Sequence, residues 1–117
     1  KNLFLRDDKK RNYYLVTLLG HKKVDLKELS QKIPSRRLSF ASEDKLKELL
    51  SLEKGHVTPL GILNNEQKNV KLVIDDELED KKIGVHPLVN TATVFIAVRD
   101  IIKVVKEHGN EIIMCQI

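Results

Sequence analysis

Aromatic residues are scarce in this chain of 117, at 4% with no tryptophan, so its core has to be built mainly from leucine, isoleucine and valine. The same scarcity argues against a track of aromatic rings stacking successive bases of a single strand. One cysteine, Cys115, leaves no internal disulfide and fits a reducing compartment. It lies in an apolar terminal stretch and reads as core rather than nucleophile. A lone cysteine cannot build a CxxC site, and His21, His56, His86 and His108 stand in no HExxH spacing, so neither metal nor other cofactor is expected. A GxxxxGK[ST] phosphate loop and a GxSxG elbow are both missing. No apolar run approaches the ~18 residues of a membrane span, and the expectation is a cytoplasmic protein with no membrane partner.

Charge is present but mixed: 21 basic and 17 acidic residues leave a net +4. This permits a polyanionic partner without requiring one, and charge alone favours the plainer reading of a solvated lysine-rich surface. Length suits one domain, and 41% apolar content suffices for one core.

Apolar patterning predicts strands over 2–6 and 13–19, joined as a hairpin across a charged turn. Helices are predicted over 25–33, where Asp25 and Glu28 have capping-box spacing, and over 43–50, where Ser42 is the cap. Leu26, Leu29 and Ile33 mark the buried stripe of the first, and Leu46, Leu49 and Leu50 that of the second. Ile62-Leu63 reads as a brief extended piece and 70–74 as a strand. Residues 75–82 read as a single helical turn or a loop. The run 93–98 reads as a strand buried on both faces. A helix over 100–108 ends at Gly109, and a last strand covers 111–117. Strands and helices without regular alternation point to an α+β class: one compact domain, with a mixed, mostly antiparallel sheet and several packed helices.

Glycine and proline number only five and three, and they concentrate in two loop-like segments, GHVTPLG (55–61) and GVHPLVNTAT (84–93). Glycine admits a close backbone approach and proline fixes a turn, so the two segments are candidates for a pocket wall. Backbone N–H groups over Gly55–Pro59 can face an anion or a carbonyl oxygen, or can belong to an ordinary helix-to-strand turn. His86, biased to extended geometry by Pro87, can exchange hydrogen bonds near neutral pH or serve as a structural histidine. Asn90, Thr91 and Thr93 can hold polar ligand atoms or satisfy turn backbone. Lys1 reads either as a solvated terminus or as a functional ammonium.

Taken in order, KNLFLRD (1–7), GHVTPLG, ILNN (62–65) and HPLVNTAT (86–93) resemble the prolyl-tRNA editing, or YbaK-like, superfamily. Within it they look most like the free-standing alanyl-tRNA(Pro) deacylases of ProX/PrdX type. The resemblance covers essentially the whole chain. It implies a hydrolase that cleaves the ester joining a wrong amino acid, chiefly alanine, to tRNA(Pro), and it implies no metal. The family's functional lysine falls on Lys1, its glycine-to-proline loop on Gly55 to Pro59, and its pocket histidine on His86. Lys1, Gly55 and His86 are thereby the expected catalytic residues, with Thr58, Pro59, Asn90 and Thr93 as substrate-binding positions. Implied partners are mischarged tRNA(Pro) and either prolyl-tRNA synthetase or an elongation factor. Residues 1–117 are expected to form one editing domain lacking the segment that precedes the family's lysine. Cysteinyl-tRNA(Pro) hydrolysis and a non-catalytic tRNA-binding module are the alternatives.

Overall fold

Strands β1 (Asn2–Asp7) and β2 (Tyr13–Thr17) pair antiparallel, Asn2 opposite Thr17 and Arg6 opposite Tyr13. They begin the sheet of the computed structural model, which describes residues 1–87 and 92–117. The turn between them is closed by buried Asp7, whose carboxylate accepts from the Arg11 N–H and the Asn12 side-chain amide. Helix α1 (Leu26–Lys32) follows, with the Asp25 carboxylate capping the N–H groups of Lys27 and Glu28. Strand β3 (Leu38–Phe40) returns to the free edge of β1, and α2 (Glu43–Leu50) starts under the Ser42 hydroxyl.

The expected extended piece at Ile62-Leu63 is instead part of a 3₁₀ helix, Pro59–Asn64. Two apolar residues are too few to display a period, whereas Thr58 and Pro59 form a helix start: the Thr58 hydroxyl accepts from the Leu60 N–H, and proline takes the first helical position. Gly61 is needed there because a Cβ would meet Leu52 Cδ1 at 2.5 Å.

Strand β4 (Val70–Asp75) runs parallel to β2 on one side and to β7 (Ile112–Cys115) on the other, giving the order β3-β1-β2-β4-β7. A single 3₁₀ turn, Asp76–Leu78, leads to β5 (Lys82–Val85), which pairs antiparallel with β6 (Val94–Ala97) as a separate two-stranded ribbon. The run 93–98 is therefore not buried on both faces: Val94 and Phe95 are exposed, and Val98 already belongs to α3 (Val98–His108). The hydrophobic run gave no indication that its strand pairs only with β5, outside the main sheet, with only one face on the core.

Alternation along the central strands builds two cores. Phe4, Leu15, Leu72 and Ile74 face α2, α3 and the 3₁₀ helix, whereas Leu5, Val16 and Val73 face α1 through Leu29 and Ile33. The α+β class, with a mixed sheet and several packed helices, describes the molecule, but the five-stranded sheet is evenly divided rather than mostly antiparallel: two pairings are antiparallel and two parallel, and the third antiparallel pair is the separate ribbon.

A buried asparagine pair joins these parts. The Asn65 carbonyl oxygen accepts from the Val70 N–H and from Asn110 Nδ2, which also donates to the Val70 carbonyl. Asn65→Ala leaves a buried N–H and amide under-satisfied and is expected to cost about 2–3 kcal/mol, measured as a lower urea midpoint at unchanged slope. Asp7 supplies a pH signature. Burial pushes its carboxyl up, but the bonds from the Asn12 side chain and from the N–H groups of Arg11, Asn12 and Lys9 outweigh this and leave it below the usual carboxylate range. Its contribution is thus present above the unfolded carboxylate pKa of about 3.9 and lost as pH falls through the lower folded value. Replacing Asp7 with Asn should flatten the acid limb of stability against pH, measured by thermal melts from pH 5 downward.

Candidate functional site

The first loop leaves α2 through Ser51, which has a left-handed backbone, and turns at Gly55, whose φ is +87°. That angle strains any L side chain, and nothing lies within 4 Å of where a Cβ would stand, so the turn presents open backbone. Thr58 and Pro59 are buried behind it, the threonine hydroxyl and the proline ring both serving the shape of the loop.

The sheet grips this loop through Asn2. Its Nδ2 donates to the Val57 carbonyl at 3.2 Å, while its Oδ1 accepts from the Thr17 hydroxyl at 2.7 Å. One side chain thereby fixes β1, β2 and the Gly55–Gly61 loop to one another.

The second loop leaves β5 at His86. Its ring stands edge-on to that of His56, with centroids 5.9 Å apart and planes at 67°. The His86 Nδ1 is buried and has no hydrogen-bond partner among the described residues. Buried polar atoms are nearly always paired, so an orphan of this kind marks a place of interest. Thr93 is exposed at the start of β6, with its methyl toward Gly84. Asn90 lies outside the described residues.

Lys1 is engaged on the end of β2. Its α-ammonium donates to the Leu18 carbonyl at 3.1 Å and its Nζ to the Lys22 carbonyl at 2.6 Å. Lys22 is itself anchored, its Nζ lying 2.7 Å from fully buried Asp75, 3.2 Å from Glu77 and 3.1 Å from the Ile117 carbonyl. The hydrogen bond it donates to Asp75 keeps the Lys22 ammonium above the usual lysine range. The contact of His56 with His86 joins the loop that carries Gly55, Thr58 and Pro59 to the residue that opens the second loop. Lys1 joins them through its neighbour Asn2, its own amino groups pointing to β2.

Sequence reasoning singled out neither Asn2 nor His56. Both lie inside the segments it favoured, and a polar residue opening a strand of otherwise apolar residues was the available signal. Cys115 is half-buried on β7, and burial raises its thiol pKa, which does not favour a nucleophile. Among the described residues no group of three or more His, Cys, Asp or Glu could hold a metal ion, and no helix is long and apolar enough to cross a membrane.

The profile of the family described as "Aminoacyl-tRNA editing domain" matches residues 1–104, a span that includes Lys1, Asn2 and both loops. The chain belongs to the aminoacyl-tRNA editing domain family. This editing domain is 50% identical over 111 residues to the prolyl-tRNA editing protein ProX of Acetoanaerobium sticklandii, covering 94% of this chain and 68% of that one. It is 35% identical over 116 residues to the prolyl-tRNA synthetase associated domain-containing protein 1 of Mus musculus, covering 95% and 68%. The crystal structure of the hypothetical protein APE2540 superposes with a TM-score of 0.74 over 97% of this chain and 70% of that one; at 19% identity this speaks to the fold alone.

Removing the Asn2 tether tests the site's architecture. Asn2→Ala should speed amide hydrogen exchange over 56–60 about fivefold, the equivalent of one lost hydrogen bond, with exchange along β4 unchanged.

Proposed function

We propose that this editing domain hydrolyses the aminoacyl ester of mischarged tRNA(Pro), alanyl-tRNA(Pro) above others. The observation that carries the reading is the meeting of the two glycine- and proline-shaped loops at His56 and His86, with a buried imidazole nitrogen left unpaired. Family membership supplies the reaction class, and the prolyl-tRNA editing name of the ProX relative supports the choice of tRNA.

An aminoacyl ester is already activated, so the site needs no strong nucleophile. The backbone N–H of Gly55 holds the ester carbonyl as it gains negative charge in the attack by water, the N–H of His56 being already engaged by the Glu53 carbonyl. His86 orders a polar atom of the substrate through its free nitrogen and bounds the side-chain pocket, with Thr58, Pro59, Asn90 and Thr93 shaping the rest. A terminal ribose hydroxyl of the tRNA helps position the water. Lys1 binds a phosphate or ribose oxygen of the terminal nucleotide. Its exposed bond to the neutral Lys22 carbonyl is readily exchanged for an ion pair with a phosphate oxygen.

The need for such an enzyme follows from size. A synthetase pocket built for proline rejects a smaller apolar side chain by only a few kcal/mol, and a second site that admits only the smaller one corrects the error. Residues 1–117 act as one editing unit in the cytoplasm, receiving substrate from prolyl-tRNA synthetase or an elongation factor. The net +4 charge assists tRNA capture.

The test is ester loss from alanyl-, cysteinyl- and prolyl-tRNA(Pro). Alanine should be released at least tenfold faster than the others, and Lys1→Ala and His86→Ala should each lower kcat/KM at least tenfold. Wild-type rates in both variants would overturn the residue assignment. Preferential loss of cysteine would overturn the alanine assignment, and binding without turnover would leave only a tRNA-binding module.

A further inference from the structure

The outward face of the β5–β6 ribbon carries one isolated aromatic ring. Gly84 lies opposite Phe95 and Lys82 opposite Ala97, so alternation sets these four residues on one face. The other face turns Ile83, Val85 and Ile96 into the core. Phe95 remains 75% exposed, more than any other large apolar side chain among the described residues. Gly84 makes room for it: a Cβ there would meet Thr93 Cγ2 at 2.9 Å and the Phe95 ring at 3.5 Å. Two residues after Gly84 comes His86, so this face runs directly into the candidate site. Lys81 and Lys82 are exposed beside it and form no ion pair among the described residues, while Arg99 is paired with Asp80.

The size of the patch selects its occupant. A stable protein interface covers about 800 Å² on each partner, and one phenyl ring supplies about 200 Å² at most. A ring bordered by glycine, threonine and lysines is too small and too polar for that. It suits a single flat base on an anionic backbone. The scarcity of aromatics excludes a track for several bases, but not a platform for one.

We propose that Phe95 stacks a base of the single-stranded 3′ end of the tRNA, with Lys82 beside it meeting the adjoining phosphate. This rests on the functional reading above and extends it from the ester to the nucleotides that carry it. Stacking on Phe95 fixes the angle at which the tRNA end enters between the loops. It supplies binding energy remote from the reacting carbonyl, so it acts on KM rather than on the chemical step.

The chain contains no tryptophan, so Phe95→Trp introduces a single fluorescent reporter at the proposed contact. Titration with an uncharged oligoribonucleotide ending in CCA should quench it saturably, and a blunt duplex RNA of the same length should not. Phe95→Ala, folded by circular dichroism, should raise KM for aminoacyl-tRNA about tenfold with kcat within about twofold, and Phe95→Trp should keep the wild-type KM. Lys82→Ala should raise KM less and reduce the salt slope by about 1. Equal quenching by both RNAs, or by neither, overturns the proposal, as does a wild-type KM in Phe95→Ala. Conversion of an oligomer to a monomer by Phe95→Ala would mark the face as a contact between copies and overturn it too. A wild-type protein without deacylase activity defeats the functional reading alone; quenching by the CCA strand then still supports the stacking site.

Discussion

Parallel pairing of β4 with both β2 and β7 is the constraint on which the rest of the structure depends. Parallel neighbours cannot be joined by a tight turn; each pair needs a long connection that crosses back over the sheet. The first connection, 18–69, contains α1, β3, α2 and the loop at Gly55–Gly61. The second, 76–111, contains the β5–β6 ribbon, α3 and the loop that begins at His86. Val57 and Leu60 of the first pack against the same core as Val85 and Ile96 of the second. Segments thirty residues apart in sequence therefore meet because the strands order them to.

The interior is strict about its polar groups. Asp7 closes a turn, Asp75 holds Lys22 and the Glu77 N–H, Thr58 caps a helix, and Asn65 with Asn110 stitches α2 and β4 to the start of β7. Against this background the Nδ1 of His86, unpaired among the described residues, stands out. Proteins tend to break their own local rules where they do chemistry, and this exception falls where the two loops meet.

Much of the fold was legible because local signals agreed with one another. Asp25 and Ser42 announced their helices, and Gly109 marked the end of α3. What could not be read was tertiary. Nothing local tells whether Val94–Ala97 joins the main sheet or a two-stranded ribbon, since the same β-branched and aromatic residues suit either. At the site, the loops were visible through their glycines and prolines. The grip of Asn2 on Val57 and the contact of His56 with His86 join residues 55 and 30 positions apart, and such contacts leave no periodic trace.

Lys22 has a geometric consequence. Its carbonyl takes the side-chain ammonium of Lys1, and its own ammonium takes the carbonyl of Ile117. One residue thus ties the chain just before β1 to the end of β4 and to the segment that follows β7. Strands far apart in the sequence are clasped at one end by a single cation.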